Sequence, residues 1–288
     1  MAKNPKINKF PESEYCPGFW KINSISGCPY HCATCYLDAS TGRFNNGKKI
    51  NSVASIDKTI PIILKWLNEM GDTVALLNTG ETGDSWAFES GAGEANPLNY
   101  AIMSLFRGRN QKLLFLTKSS NTMMLNSPLI DECIFSFSVN PPEVSRAFHS
   151  PLVSLNVIRG LLAQGRRVRL RFDPIIPIPD WKFAYSNYIR DLRSVSPEMF
   201  TLGSLRLTES NYTLRRKQGV ELLKYVAKEK DGGNHPWRIP YRQRAEMYAF
   251  IIGLLRESPP YARIGLCKET QGMRDEIGVS KDDCNCQI

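Results

Sequence analysis

From residue 19 to about 205, short apolar runs alternate with segments whose apolar residues recur at helical spacing. "FWKINSIS" (19–26), "TVALLNTG" (73–80), "KLLFLTK" (112–118), "CIFSFSVN" (133–140), "RVRLRFDPIIP" (167–177) and "MFTLGSLRL" (199–207) read as strands. "SIDKTIPIILKWLNEM" (55–70), "NPLNYAIMSLFRG" (96–108), "PLVSLNVIRGLLAQG" (151–165) and "DWKFAYSNYIRDLRSV" (180–195) read as helices. A βα unit repeated about six times gives a parallel sheet with helices outside. The expected fold is therefore α/β, a partial (β/α)6 TIM-like barrel. Chemistry in such a barrel sits on the loops at the C-terminal ends of the strands. The expected organisation is an N-terminal arm over 1–18, the barrel over 19–207 and a C-terminal extension over 208–288. That extension starts with a weakly periodic arm, continues in a helix at "YRQRAEMYAFIIGLLRE" and a last short strand in "YARIGLCKE", and ends in a cysteine-containing tail.

Three thiols occupy the first expected βα loop: "SGCPYHCATCYLDAS" places Cys28, Cys32 and Cys35 in a C-x3-C-x2-C array. The polar opening "MAKNPKINKFPESEY" is not a signal peptide, and no apolar run is long enough to span a bilayer. A cytoplasmic location follows as the expectation. There thiols stay reduced, so eight cysteines are ligands, nucleophiles or core filler before they are disulfides. Thiolates are soft ligands for zinc or iron–sulfur clusters. Structural zinc sites draw four ligands, usually two separated pairs, whereas this loop supplies three with no fourth nearby.

An array of this spacing after the first strand of a βα barrel resembles the radical S-adenosylmethionine (SAM) superfamily. "GCPYHCATCYL" is similar to the cysteine loop of its spore photoproduct lyase-like branch. "GETGDS" (80–85), "LTK" (116–118), "FSFSVN" (135–140) and "RIPYRQRAEMYAFIIGLLRE" followed by "RIGLCKE" continue the likeness in order, over roughly residues 19 to 270. The resemblance implies a barrel of the radical SAM type. It implies a 4Fe–4S cluster on Cys28, Cys32 and Cys35 whose open iron chelates SAM, reductive cleavage to a 5′-deoxyadenosyl radical, and hydrogen abstraction from substrate. It also implies an electron donor such as flavodoxin or ferredoxin.

Further residues take roles from the same resemblance. Gly80 and Glu81 match the turn that holds the SAM amino group, and a carboxylate facing an ammonium is a strong charge-assisted pair. Lys118 matches a lysine that reaches the SAM carboxylate. Ser138 and Asn140, two apart on a strand, face one side; they bind SAM or pair inside the barrel. Tyr36 matches a tyrosine that relays hydrogen atoms, and Asp84 is a third catalytic candidate, on the top-face loop. Trp86 and Trp181 contact substrate or pack. Arg169, Arg171 and Asp173 alternate on one strand and contact substrate or form an internal ion pair. Cys267, Cys284 and Cys286 form a possible second site, for an auxiliary iron–sulfur cluster or zinc. Cys16 or Cys133 could be a fourth ligand there, but each precedes a strand and is expected at the far barrel end.

The formal net charge is +9, which favours an anionic partner, nucleic acid first. "NYTLRRKQGVELLKYVAKEKDGGNHPWRIPYRQR" (211–244) interleaves cations with Tyr212, Tyr225, Trp237 and Tyr241, the make-up of a nucleic-acid surface or of a solvated basic helix over core aromatics. The resemblance has two departures. Thr34 stands where the repair lyase has a relay tyrosine, and Glu81 where it has a hydrogen-donating cysteine. The expected function is therefore hydrogen abstraction from a nucleobase, a pyrimidine by preference, in nucleic acid or a nucleotide. Modification or rearrangement is expected rather than thymine-dimer repair. A radical SAM enzyme acting on a peptide or small metabolite is the alternative within the class. A non-catalytic, zinc-stabilised nucleic-acid-binding protein is the alternative outside it.

Overall fold

The computed structural model describes residues 4–39, 44–45, 48–49, 52–87, 95–126, 132–230, 233–257 and 262–288. One eight-stranded sheet organises the chain. Its strands are β1 (Ile7–Phe10), β2 (Phe19–Ile22), β3 (Leu76–Asn78), β4 (Lys112–Thr117), β5 (Cys133–Ser138), β6 (Arg167–Ile175), β7 (Met199–Ser204) and β8 (Arg263–Leu266), paired in that order. β1 runs antiparallel to β2, and every other pair is parallel. The two edges, β1 and β8, do not pair, so the barrel is partial. The sheet has seven parallel strands, and it takes in Ile7–Phe10, in the expected N-terminal arm, and Arg263–Leu266, in the expected extension.

Helices α1 (Ile56–Met70), α2 (Ala95–Ser104), α4 (Leu155–Ala163), α5 (Trp181–Asp191) and α7 (Tyr241–Arg256) lie along the chain near their predicted positions. Short α3 (Pro142–Ala147), α6 (Glu209–Lys217) and α8 (Gln271–Ile277) complete the set. Two-sided burial explains the strand sequences. On β6, Val168, Leu170 and Phe172 are fully buried, with Phe172 packed edge-on against Tyr185 and Tyr188 of α5. The intervening Arg169, Arg171 and Asp173 face the lumen. Each large apolar side chain removed from water contributes about 1.5–3 kcal/mol. The lumen holds a separate small apolar cluster of Leu76, Leu114 and Ile134, with Leu116 against it.

The C-terminal segment spans the open side of the barrel. Arg274 donates to the Tyr15 carbonyl at 3.2 Å, Lys281 pairs with Glu12 at 2.7 Å, and Gln287 donates to the Gly18 carbonyl at 2.7 Å. The last residues enter the lumen. Ser136 of β5 and the Asn285 side chain pair at 2.8 Å, and Arg169 donates to the carbonyls of Asn285 and Gln287 at 2.6 and 2.7 Å. Gly265 makes this path possible: a Cβ there would lie 1.7 Å from the Asp283 carbonyl oxygen.

The basic arm is more internal than its composition implies. Arg215, Arg238 and Arg244 are buried, and the last two share Glu269 at 2.8 and 3.2 Å. Tyr212 and Trp237 stack on each other at 3.5 Å, and Tyr225 packs edge-on against Phe148. Three arginines and three rings of the expected nucleic-acid surface are thus spent on internal contacts. No described helix is long and apolar enough to cross a membrane.

Candidate active site

The cysteine loop lies at the C-terminal end of the strands, docked on the turn that follows β3. Gly27 N–H donates to the Thr82 carbonyl at 2.9 Å, the Thr82 hydroxyl donates to the Ile25 carbonyl at 2.6 Å, and Gly27 and Gly83 form a β-bridge. The two glycines are in close contact because a Cβ on Gly83 would sit 2.4 Å from the Gly27 carbonyl oxygen. Gly80 is equally constrained, since its Cβ would lie 2.3 Å from the Leu116 Cβ. The turn is an Asx turn in which the Gly80 N–H donates to Asn78 Oδ1 at 2.8 Å.

Four backbone points hold the loop beyond Gly27. Ala33 N–H donates to the Phe148 carbonyl at 2.8 Å, and Cys35 N–H to the Cys32 carbonyl at 3.0 Å. From α6, Arg215 donates to the Cys35 carbonyl at 3.1 Å and Asn211 to the Tyr36 carbonyl at 2.7 Å. Arg215 also pairs with the buried Asp38 at 2.7 Å. Sequence reading missed both α6 residues, because a basic, weakly periodic segment gives no sign of which cations turn inward.

Cys32 is buried, while Cys28 and Cys35 are half-buried. Lys118, at the end of β4, lies within electrostatic reach of Cys32. Burial pushes its ammonium pKa down, opposed by Cys32 and Asp173. Such a cation is best satisfied by an anionic group at the mouth. Tyr36 hydroxyl donates to the Glu81 carbonyl at 3.0 Å, and Asn78 Nδ2 donates to Glu81 Oε1 at 3.3 Å, so Tyr36, Glu81 and Asn78 form one chain of contacts.

Other predicted residues have structural partners. Asp84 is buried and accepts from the Thr117 hydroxyl at 2.6 Å, Lys118 N–H at 2.6 Å and Trp86 N–H at 3.1 Å. Burial raises its carboxyl pKa against those donors. It joins the β3 turn to β4. Trp86 is fully buried among Tyr100, Phe115 and Phe135, and Trp181 packs on Tyr185 and Phe250; both are packing residues. Ser138 closes β5. Asn140 lies beyond the strand, where its Oδ1 accepts from the Tyr185 hydroxyl at 3.2 Å.

Arg171 pairs with Asp173 at 2.6 Å, as the ion-pair reading has it, and Arg206 adds a second pair at 2.9 Å. Gly203 leaves space for this group, since its Cβ would meet Asp173 Oδ1 at 2.6 Å. Burial would raise the Asp173 carboxyl, but the guanidiniums of Arg206 and Arg171 outweigh it and hold the pKa well below the usual carboxylate range. Arg169 goes elsewhere, to Glu198 and the tail. Burial, followed by the charges of Arg206, Lys268 and Arg238, pushes the nearby His235 imidazole down to about 3.

The tail cysteines approach the same mouth. Arg171 and Arg206 donate to Cys267 Sγ at 3.6 and 3.4 Å, and Asn78 Nδ2 contacts Cys286 Sγ at 3.7 Å. Cys16 lies ahead of β2, and burial pushes its thiol pKa up. Cys133 is fully buried beside Glu132, at the start of β5. Among the described residues, no three His, Cys, Asp or Glu side chains converge as they would around a single metal ion.

No protein-family model and no curated protein matches this sequence. Solved structures do. Spore photoproduct lyase complexed with dinucleoside spore photoproduct superposes with a TM-score of 0.69 at 17% identity, covering 86% of this chain and 75% of that one. A variant of that lyase with bound AdoMet and dinucleoside spore photoproduct gives 0.68 at 17% identity, over 88% and 76%. The cobalamin-dependent S-adenosylmethionine radical enzyme OxsB gives 0.51 at 12% identity, over 83% and 43%. With its seven parallel strands and the cysteine loop at their C-terminal mouth, the chain has the partial βα barrel fold of spore photoproduct lyase.

Proposed function

We propose that the protein is a radical SAM enzyme that abstracts hydrogen from a pyrimidine nucleobase, in nucleic acid or a nucleotide, and so modifies or rearranges it. The observation that carries the class is the cysteine loop. In a lyase-type barrel, it is fixed by backbone bonds at the C-terminal mouth, with the partly buried ammonium of Lys118 within electrostatic reach of Cys32.

The donor set fits the cofactors. Three thiols on one loop suit a 4Fe–4S cluster with an open iron. Lys118 would offer a cation to an anionic cluster or to the SAM carboxylate, and Glu81 would hold the SAM amino group. Ser138, at the end of β5, would add a hydroxyl to the SAM contacts, whereas the Asn140 side chain is engaged by the Tyr185 hydroxyl. When bound and reduced by a flavodoxin or ferredoxin, the cluster and SAM supply a 5′-deoxyadenosyl radical. The chain's own part is to orient and to exclude water. Asp84 fixes the turn against β4, Tyr36 holds Glu81 through its carbonyl, and Arg171, Arg206 and neutral His235 offer donors to an anionic substrate.

The nucleobase reading is supported by the positive mouth, the net charge of +9 and the dinucleoside bound by the lyase neighbour. Rearrangement rather than dimer repair rests on Glu81 and Thr34, which cannot usefully donate a hydrogen atom. The test is deuterium transfer. Reconstituted enzyme, SAM and reductant are incubated with deuterated oligodeoxynucleotides, oligoribonucleotides and mononucleotides. Deuterium entering 5′-deoxyadenosine from a pyrimidine nucleotide is the expected result. Transfer from peptides or small metabolites alone contradicts the nucleobase reading.

A further inference from the structure

Asn78 closes β3 with only 1% of its surface exposed. An amide so buried finds its partners inside the chain, because water cannot supply them. It carries one acceptor oxygen and two N–H donors. The oxygen, Oδ1, takes the Gly80 N–H at 2.8 Å and makes the Asx turn. Nδ2 then faces Glu81 Oε1 at 3.3 Å and Cys286 Sγ at 3.7 Å. A flipped amide would set Nδ2 against the Gly80 N–H, donor against donor. The turn itself therefore fixes which end of the amide meets Glu81.

The tail presents Cys286 to this amide. The carbonyls on either side of it, of Asn285 and Gln287, both accept from Arg169 Nη1, at 2.6 and 2.7 Å. The Asn285 side chain adds a bond to Ser136 at 2.8 Å. Arg169 is fully buried and is held in turn by Glu198 at 3.1 Å. Pinned on both sides, the Cys286 backbone has little freedom to turn its side chain away from Asn78. A line of contacts thus runs from Arg169 on β6 through the tail and Asn78 to Glu81. The far end of the chain helps to set a carboxylate on the turn after β3.

We infer that Asn78 is a positioning residue for the Glu81 carboxylate, and that the tail completes it through Cys286. The inference rests on the reading that Glu81 holds the SAM amino group. An unrestrained glutamate side chain samples many rotamers, and fixing one as a ligand binds subtracts from affinity. Asn78 meets that cost in the folded protein, before SAM arrives. The residue type follows. Aspartate would make the same turn, but would put a second carboxylate oxygen against Glu81, where like charges repel. Serine supports such a turn more weakly and is too short to reach Glu81. An asparagine alone among these both makes the turn and donates to the carboxylate.

The experiment measures binding, not turnover. The full chain is reconstituted anaerobically with iron and sulfide, left unreduced, and titrated by equilibrium dialysis with SAM and with 5′-methylthioadenosine. The second probe keeps the adenosine and the sulfur but has neither amino nor carboxylate group. A hydrogen bond to a charged group sets the scale: Asn78→Ser should weaken SAM binding about tenfold or more and leave methylthioadenosine unchanged. Cys286→Ala should weaken SAM with the same selectivity but less, about two- to fivefold. In a Glu81→Ala chain, Asn78→Ser should add less than about twofold, because both act through one carboxylate. Equal weakening of the two ligands by Asn78→Ser would mean that the turn has merely deformed, and additive losses with Glu81→Ala that Asn78 acts elsewhere. Either result overturns the inference, as does unchanged SAM affinity in Asn78→Ser; unchanged affinity in Cys286→Ala overturns the part given to the tail. Should Asn78→Ser fail to fold, Asn78→Asp, which keeps the turn acceptor, must show the same selective loss, and unchanged affinity there overturns the inference equally. A native chain that takes up iron yet binds SAM no better than methylthioadenosine would overturn the assignment of Glu81 to the SAM amino group, and this inference with it.

Discussion

Arg215, on α6, donates to the carbonyl oxygen of Cys35 at 3.1 Å while pairing with Asp38 at 2.7 Å. Most of its side chain is buried, so it clamps the end of the cysteine loop from outside the barrel. Breaking a buried pair by removing one partner costs about 3–5 kcal/mol. Arg215→Ala should lower stability by that order and reduce cluster retention after reconstitution, read from iron content and visible absorbance. Arg215→Lys should recover part of both. Full iron retention in the alanine variant would show that the loop holds itself.

Lys118 links function to a stability cost. Its ammonium is pushed down in pKa by burial, so the folded state favours its neutral form. Well below the lowered folded pKa, both states are charged and the penalty is fully present. It fades as pH rises from that value towards the ordinary lysine value. Lys118→Met should therefore stabilise the cofactor-free protein at neutral pH, by roughly 2–4 °C in Tm for each kcal/mol relieved. It should remove the gain in stability with rising pH and weaken SAM binding. Calorimetry across pH and equilibrium dialysis with SAM read the three effects.

Gly83 and Gly265 are sites where the backbone itself needs the space. A Cβ would lie 2.4 Å from the Gly27 carbonyl oxygen at one and 1.7 Å from the Asp283 carbonyl oxygen at the other. Overpacking of this kind costs typically about 1–3 kcal/mol. Gly83→Ala should separate the cysteine loop from the β3 turn and impair iron retention. Gly265→Ala should expel the tail, making residues near 283 sensitive to limited proteolysis. A protected tail in that variant would mean the strand shifts to accommodate the methyl.

Much of this architecture was legible in the sequence because period and length carry it. "KLLFLTK", "CIFSFSVN" and "MFTLGSLRL" are buried on both faces, and their apolar runs show it. β1 was not legible, because "INKF" is an edge strand whose exposed Asn8 and Lys9 break the pattern. The C-x3-C-x2-C array pointed to its loop directly. Asn211 and Arg215 did not stand out, because inward and outward cations look alike in sequence. Arg206 is placed by the antiparallel pairing of Arg206–Leu207 with Trp237–Arg238, and Cys286 by the return of the tail, long-range contacts with no local signature. The Asx turn at "NTGE" was readable, and would have drawn Asn78 into the site.

Dimer repair provides a sharp negative expectation. Glu81 and Thr34 leave the turn without a thiol and the loop without a second relay tyrosine. Reconstituted enzyme, SAM and reductant should not convert spore photoproduct dinucleotide to two thymidines over multiple turnovers. Clean reversal would make the protein a repair lyase and assign the donor role to Cys286.

The most direct measurement of the central claim is reductive SAM cleavage by anaerobically reconstituted protein, followed as 5′-deoxyadenosine by chromatography. The native chain should be brown and form 5′-deoxyadenosine on addition of dithionite, and Cys28→Ala, Cys32→Ala and Cys35→Ala should each reduce it to background while remaining folded. A colourless protein binding only zinc, or any of the three variants forming 5′-deoxyadenosine at the native rate, would contradict the account.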